Sequence, residues 1–380
     1  MTERVTVSSL SEYMSWVDDM SLNAKKQGND TLLYRGHSNA NYTLLPTAYR
    51  DISEGKSFRA VEHHLYEDML RRDPMPFVND RTVFEKLIRM QHHGLPTRLL
   101  DLTHSPLVAL YFACESQSQA TGEVLLFPRK NSEVWFPSDV PEAALVGVER
   151  ECHFENFAME GVRLLKEFLS RERQQTTKHT AFNAAYQSLL ETSVKILAEA
   201  QRHKDLLVQV VLLRQIEEEL PKFVSEWDKT FLEAMKGTIS EQYNVLDANR
   251  MLLNFDKNLT AFKQIVIKKL CEAICVKPPQ NIHEISKLLQ QFTFWYFVLP
   301  PINNERIRRQ QGAFVIYPPG KTEHWKLENI VKPDRIQIAV GAKEKILEEL
   351  SSLGMNRCYI FPELSELAAD VKLRYPPTMD

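Results

Sequence analysis

Between Gln91 and Ser105 the chain places two adjacent histidines, an arginine, an aspartate, two threonines, a third histidine and a serine in the stretch QHHGLPTRLLDLTHS. An almost wholly apolar run, PLVALYFAC, follows at once. Polar groups at that density, beside a segment that must be buried, are costly unless they are paired or used. Two other stretches carry comparable chemistry. TLLY, residues 31–34, is a short β-type run that delivers Arg35 and then Gly36, a cation beside a residue that lets a ligand approach the backbone. INNERIRRQQGAF, residues 302–314, holds Glu305, then Arg306, Arg308 and Arg309, then Gln310 and Gln311.

The elements that must position these residues follow from spacing. Phe84, Leu87, Ile88 and Gln91 share one helical face, and Gly94 is placed to stop that helix. Arg98 to Thr103 reads as a short strand. Ser105 is a good N-cap, with Pro106 at the first helical position, so Leu107 to Glu115 should form a helix buried on most sides. Asp101, Thr103 and His104 would then lie where a strand runs into a helix N-terminus, a natural place for an anionic ligand. Upstream, Ser9 and Ser11 offer caps for an amphipathic helix, residues 39–51 look irregular, and Phe58 to Arg72 reads as helix. Downstream, GEVLLFP, FTFWYFVL, Ala313 to Tyr317, residues 334–340 and Arg357 to Phe361 read as strands. Lys343 to Leu353 and Glu363 to Arg374 read as helices. From about Cys152 to Gln291 the pattern is helical nearly throughout, with apolar residues at i, i+3, i+4 and i+7. The expected organisation is an α+β domain with a mixed or antiparallel sheet, built from residues 1–128 and 292–380. A helical insertion over 129–291 would divide it.

Bulk properties exclude several classes. With 47 basic and 50 acidic residues the formal net charge is −3, which gives no global grip on nucleic acid but leaves room for a local basic stripe at Arg306, Arg308 and Arg309. The five cysteines are scattered and read as reduced, buried thiols. No apolar h-region opens the chain and no apolar run approaches ~18 residues, so a cytoplasmic protein with no membrane partner is expected. There is no G-x-x-x-x-G-K-[ST] and no G-x-G-x-x-G, which excludes the ordinary NTPase and Rossmann motifs. His92, His93, Asp101 and His104 match no standard metal-ligand spacing, and no metal is expected. Hydrolysis of nucleic acid by that cluster stays as an alternative.

Tyr34-Arg35-Gly36, LPTRLLDLTHSPLVALYFA over residues 95–113, Asn303 and Arg306 with Gln310-Gln311-Gly312-Ala313-Phe314, and Ile360-Phe361-Pro362 together resemble the FRG domain, named for its [FY]-R-G motif. The order of the motifs is in turn similar to that of mono-ADP-ribosyltransferases, whose three motifs line a split-sheet NAD cleft. That resemblance implies NAD as substrate, with Tyr34, Arg35, Gly36, His93, Arg98, Thr103, Ser105 and Gln310 in the binding set. Arg35, Asp101, Thr103, Gln311 and Glu305 would be the catalytic candidates. The third motif departs from the pattern: Gln310 or Gln311 stands where a late glutamate is expected, and an amide cannot act as a general base. Either Glu305 or Asp101 supplies the carboxylate, or the domain binds a nucleotide without turnover. By the same resemblance, the protein would serve as a bacterial toxin or phage-defence effector. RNA, DNA or a protein would be the acceptor, and an antitoxin or chaperone the partner.

Overall fold

The computed structural model describes residues 5–53, 56–145, 147–149, 268, 291, 294–318 and 327–375. The chain divides into two compact units. The first comprises Met1–Pro141, Trp295–Tyr317 and Glu323–Asp380, and the second Glu142–Phe294 with Pro318–Thr322. Nearly all of the expected helical insertion, 129–291, lies outside the described residues.

The first unit is organised on one eight-stranded mixed sheet. In chain order its strands are β1 (Thr6–Val7), β2 (Thr31–His37), β3 (Leu99–Thr103), β4 (Gly122–Arg129), β5 (Val134–Trp135), β6 (Tyr296–Val298), β7 (Gly312–Ile316) and β8 (Asp334–Ile338). Their spatial order is β1-β8-β4-β2-β3-β7-β6-β5. Neighbours are antiparallel except β1–β8 and β5–β6. An α+β architecture with a mixed sheet is therefore what the chain adopts. Among the described residues of this unit the α-helices are α1 (Leu10–Lys26), α2 (Glu62–Arg72), α3 (Val83–His92), α4 (Pro106–Cys114), α5 (Glu305–Gln310), α6 (Leu327–Val331), α7 (Lys343–Ser352), α8 (Arg357–Ile360) and α9 (Leu364–Arg374).

Period-two alternation sends the two faces of the sheet into separate cores. On one face Tyr34, Val124, Leu126, Ile336 and Ile338 pack under α4, with Ile346 and Leu350 of α7 and Tyr13 and Val17 of α1. On the other, Leu33, Leu100, Leu102, Leu125, Phe127, Phe297 and Val315 pack with Leu44 and Tyr317, and the Tyr317 hydroxyl donates to the Leu44 carbonyl. Helix α4 is apolar all round because it is enclosed between the sheet and α7. Ser105 caps it as expected, its Oγ accepting from the Val108 amide at 3.3 Å. Thr82 and Glu85 form a capping box that starts α3, and Gly94, at φ +88°, ends the turn after it.

One expected element differs. Where Arg357 to Phe361 reads as a strand, Arg357–Ile360 is a single helical turn, α8, because the Asn356 side chain accepts from the Tyr359 amide at 3.0 Å and starts a helix there.

Two close fits hold α4 in place. A Cβ on Gly36 would come within 1.9 Å of the Ala109 carbonyl oxygen and 2.8 Å of the Ala113 nitrogen, and one on Gly122 within 2.4 Å of the Ala113 carbonyl oxygen. The backbone of α4 thus rests directly on β2 and β4. Lys343, 1% exposed, donates its Nζ to the carbonyls of Ser38 at 2.6 Å, Gln117 at 2.9 Å and Ser116 at 3.1 Å. It ties the loops after β2 and α4 to the start of α7. Gly36→Ala should destabilise the protein by about 3 kcal/mol, since the obstructing atoms are main chain and cannot swing aside. Lys343→Met should cost about 3 kcal/mol by leaving buried carbonyls unpaired. Denaturant midpoints measure both. A change under about 0.5 kcal/mol in either would show that these contacts are not what seats α4.

Candidate active site

Strands β2 and β4 pair along the whole of Thr31–His37, but β2 meets β3 in register at Tyr34 opposite Thr103. Beyond that point β2 and β3 diverge, and the sheet opens. A cleft of about 330 Å³ lies at this opening, within the range of small-molecule sites. One wall is apolar: Ile88, Val108, Phe112, Ile307 and Phe314. The polar lining comes from three separated stretches: Arg35 and Thr47, then Gln91, His92, Asp101 and Thr103, then Asn304, Arg306 and Gln310.

Arg35 spans the opening. Its Nη1 donates to the Asp101 main-chain carbonyl at 2.5 Å, and its Nε donates to His37 Nε2 at 2.9 Å. Burial lowers the guanidinium pKa, a tendency that nearby Asp101 opposes and Arg50 reinforces, yet an arginine stays charged under any such shift. The Asp101 carboxylate is exposed and oriented by the Gln91 amide, which donates to Oδ1 at 2.7 Å. Gln91 is itself fixed, because its carbonyl oxygen accepts from the Thr97 hydroxyl. The Thr103 hydroxyl donates to the Gln310 carbonyl at 2.5 Å and accepts from the Ser105 amide at 2.9 Å, bracing the end of β3 against α5. The Gln310 side chain donates to the Ile360 carbonyl at 3.2 Å. Tyr34 is buried in the floor, and burial pushes its phenol up to about 12.

Several residues expected in the site are elsewhere. Arg98 is 3% exposed and closed onto Glu62, with Nε–Oε2 at 2.9 Å, Nη2–Oε2 at 2.7 Å and its amide to Oε1 at 3.0 Å. A buried, fully bonded pair of this kind is not free to take a pyrophosphate. Gly36 borders the cleft, but the space a side chain would fill belongs to α4, so its smallness is required by packing. Gln311 is exposed, adopts φ +46° as the left-handed end of α5, and does not line the cleft. Glu305 is exposed and paired with Arg308 and with Arg309 at 3.5 Å. His93 is exposed beside the cleft-lining His92, and Ser105 is buried as a helix cap.

The two alternative clusters are not assembled either. Of the four residues of the nuclease reading, only His92 and Asp101 line the cleft, and His104 does not. Among the described residues no group of three or more His, Cys, Asp or Glu side chains could hold a metal. The basic stripe is dispersed: Arg306 faces the cleft, Arg308 faces solvent, and Arg309 donates to the Cys358 carbonyl at 3.2 Å.

Gln91, Asn304 and Phe112 join the lining without having been expected there, and His92 had been named only for the alternative of nucleic-acid hydrolysis. Gln91 did carry a signal, as the polar last member of the Phe84-Leu87-Ile88 stripe. For Asn304 the sequence holds none beyond proximity to a motif. Since Glu305 points away, Asp101 is the one carboxylate lining the cleft among the described residues.

His37 behind the opening has a pH consequence. It is 4% exposed, its Nε2 accepts from Arg35, and its Nδ1 has no hydrogen-bond partner among the described residues. Burial, then the charges of Arg35, Arg50 and Arg335, push its pKa down to about 2. The folded protein thus keeps His37 neutral while the unfolded chain protonates it below its ordinary value of about 6.5, so stability falls as pH drops through that value. The loss should be about 2 kcal/mol between pH 6.5 and 5. His37→Gln, which retains an acceptor for Arg35, should flatten the pH dependence of the denaturant midpoint by that amount. Superimposable profiles for the two proteins would refute the assignment.

No curated protein matches the chain, and no solved structure does. A family model does match. It covers residues 30–122, the segment that supplies β2, α3, β3 and α4 and with them the Arg35, Gln91, Asp101 and Thr103 side of the cleft. The described residues contain no helix long and apolar enough to cross a membrane. The family is the one described as the FRG domain, and the chain matches it over residues 30–122, with the [FY]-R-G sequence at Tyr34-Arg35-Gly36 inside the match.

Proposed function

We propose that the cleft binds NAD and that the domain cleaves its nicotinamide–ribose bond, passing the ADP-ribosyl group to an acceptor. The observation that carries this reading is Asp101. It is an exposed carboxylate held in one orientation by Gln91, at the opening of the sheet, in a cleft that also presents a guanidinium and an aromatic wall. As the C1′–N bond breaks, its electron pair leaves with nicotinamide and positive charge develops on the ribose. A fixed carboxylate is the group that stabilises such a charge, in the manner of glycoside hydrolysis. The acceptor then bonds C1′ and releases its proton. Arg306 would take the phosphates, Phe112 and Phe314 would contact a ring, and Thr103 with Gln310 would keep the far wall in place. Asp101 would thereby do the work of the late glutamate absent from the third motif. An effector of the toxin or phage-defence kind, with nucleic acid or protein as acceptor and a dedicated protein partner, is the context in which such an activity makes sense.

A second reading, nucleotide sensing without turnover, is favoured by the intrachain partners that already engage Arg35, Arg98 and Arg306. One experiment separates the two. The full chain incubated with NAD should release nicotinamide, and Asp101→Asn should lower that rate about 100-fold or more while NAD still binds by calorimetry. Binding to both proteins with no nicotinamide release from either would establish the sensor. No binding at all would remove both readings.

A further inference from the structure

The charged groups of this unit are paired in two different ways. Arg98 with Glu62 is short, its guanidinium donating twice to Oε2 and its amide to Oε1, and Arg89 with Asp80 (Nε–Oδ2 at 2.6 Å, Nη2–Oδ1 at 2.8 Å) engages both carboxylate oxygens. Arg306 at the cleft is held differently. Its Nη1 lies 3.4 Å from Glu363 Oε1, and His92 Nε2 lies 3.7 Å from the same oxygen. Glu363 Oε2 is buried with no hydrogen-bond partner among the described residues. A buried carboxylate oxygen left without a donor, beside a loosely engaged guanidinium, is an arrangement that an unbonded native group must explain. Glu363 occupies the N-cap position of α9, yet its side chain makes no capping hydrogen bond. It serves Arg306 and His92 instead. The Arg306 guanidinium also lies over the Phe361 ring at 4.9 Å, and that ring meets Phe112 of the apolar wall edge-on at 6.0 Å. Phe361 and Glu363 therefore do not line the cleft themselves but bear on three side chains that do, Arg306, His92 and Phe112.

We infer that Arg306, with Asn304 and His92 beside it, is the anion subsite of the cleft for a phosphate-bearing ligand. Glu363 is a built-in competitor that covers this subsite in the free protein and is displaced when the ligand's phosphate arrives. The inference rests on reading this cleft as a dinucleotide site. Three features agree with it. The pair is long and single-oxygened, so little is lost on parting it. The burial that lowers the His92 pKa, with Arg306 contributing, leaves a neutral imidazole able to donate to a phosphate. The leaving carboxylate loses no capping role when it swings out. Glu363 thereby sets a threshold: a weakly charged ligand does not open the subsite, and a pyrophosphate does.

The test is a calorimetric titration of the full chain with inorganic pyrophosphate, ADP and NAD. Glu363→Gln should bind pyrophosphate about fivefold more tightly than the native protein, the scale of a half-exposed ion pair. Glu363→Asp, which withdraws the carboxylate by one methylene, should fall between them and covers the case in which the glutamine variant folds poorly. Arg306→Gln should bind pyrophosphate far more weakly. Glu366→Gln, on the same helix but paired with Arg357, should leave the affinity unchanged and so excludes a general effect of net charge. A Glu363→Gln protein that melts normally and binds pyrophosphate no more tightly than the native one overturns the inference, as does unchanged binding to Arg306→Gln. If pyrophosphate and ADP bind as expected while NAD releases no nicotinamide, the subsite stands and the transferase reading falls. Nicotinamide release with no effect of Glu363→Gln gives the reverse. Equal tightening for pyrophosphate and NAD identifies the dinucleotide's phosphates as the group that displaces Glu363, whereas tightening for pyrophosphate alone overturns that part of the inference.

Discussion

The fold depends on one close approach, the backbone of α4 lying on β2 and β4 where Gly36 and Gly122 have no side chain. A helix cannot come that near to a sheet over a Cβ, so the two glycines determine how deep α4 sits. From that depth the rest follows. The N-terminus of α4 fixes where β3 must end, Ser105 caps the helix at that corner, and Thr103 is carried to the end of α5. Lys343 seals the far end by holding the loop that leaves this helix against the loop that leaves β2. The glycine of the [FY]-R-G motif is in this light a structural residue as much as a cleft residue. A motif glycine that invites a ligand-contact reading owes its smallness here to a helix.

The opening between β2 and β3 is the second consequence. Strands that separate leave main-chain groups without ladder partners, and each such group needs a donor or acceptor from somewhere. Arg35 supplies one, reaching from the opposite face to the Asp101 carbonyl. This leaves the Asp101 side chain at the edge of the opening, oriented by Gln91 and exposed. Burial keeps His37 neutral, and the positive charge of the same arginine, which donates to its Nε2, adds to that. Motif and strand separation are thus one device: the arginine that identifies the family stitches the sheet where it parts.

Much of this was legible from spacing. The capped α4, the strand end at Thr103, the Gly94 stop and the return to strand near residue 296 all follow from local rules of period, capping and turn chemistry, whereas β2 runs past the expected end at Tyr34 as far as His37. Those rules act over a few residues, which is why they can be read along a chain. The single turn at Arg357–Ile360 was missed because Arg-Cys-Tyr-Ile is β-prone, and a cap by Asn356 outweighed that propensity. Of the residues grouped from far apart in sequence, Arg35, Asp101, Thr103 and Gln310 line one cleft, and Arg98, Ser105, Gln311 and Glu305 do not. That grouping came from the order of motifs in a family, and not from any local signal.

Sequence by itself determined which side chains were available for chemistry and which strands and helices would carry them. Tertiary structure decided which were free to act. Arg98 looked as suitable for an anion as Arg306, but Glu62, 36 residues away, closes on one, and Glu363, 57 residues away, only leans on the other. Glu305 and Asp101 were equal candidates for the carboxylate until α5 turned the first toward Arg308 and solvent. The physical reason is that desolvation and charge pairing are set by distances in space. A chain encodes those distances only through the packing of all its elements together.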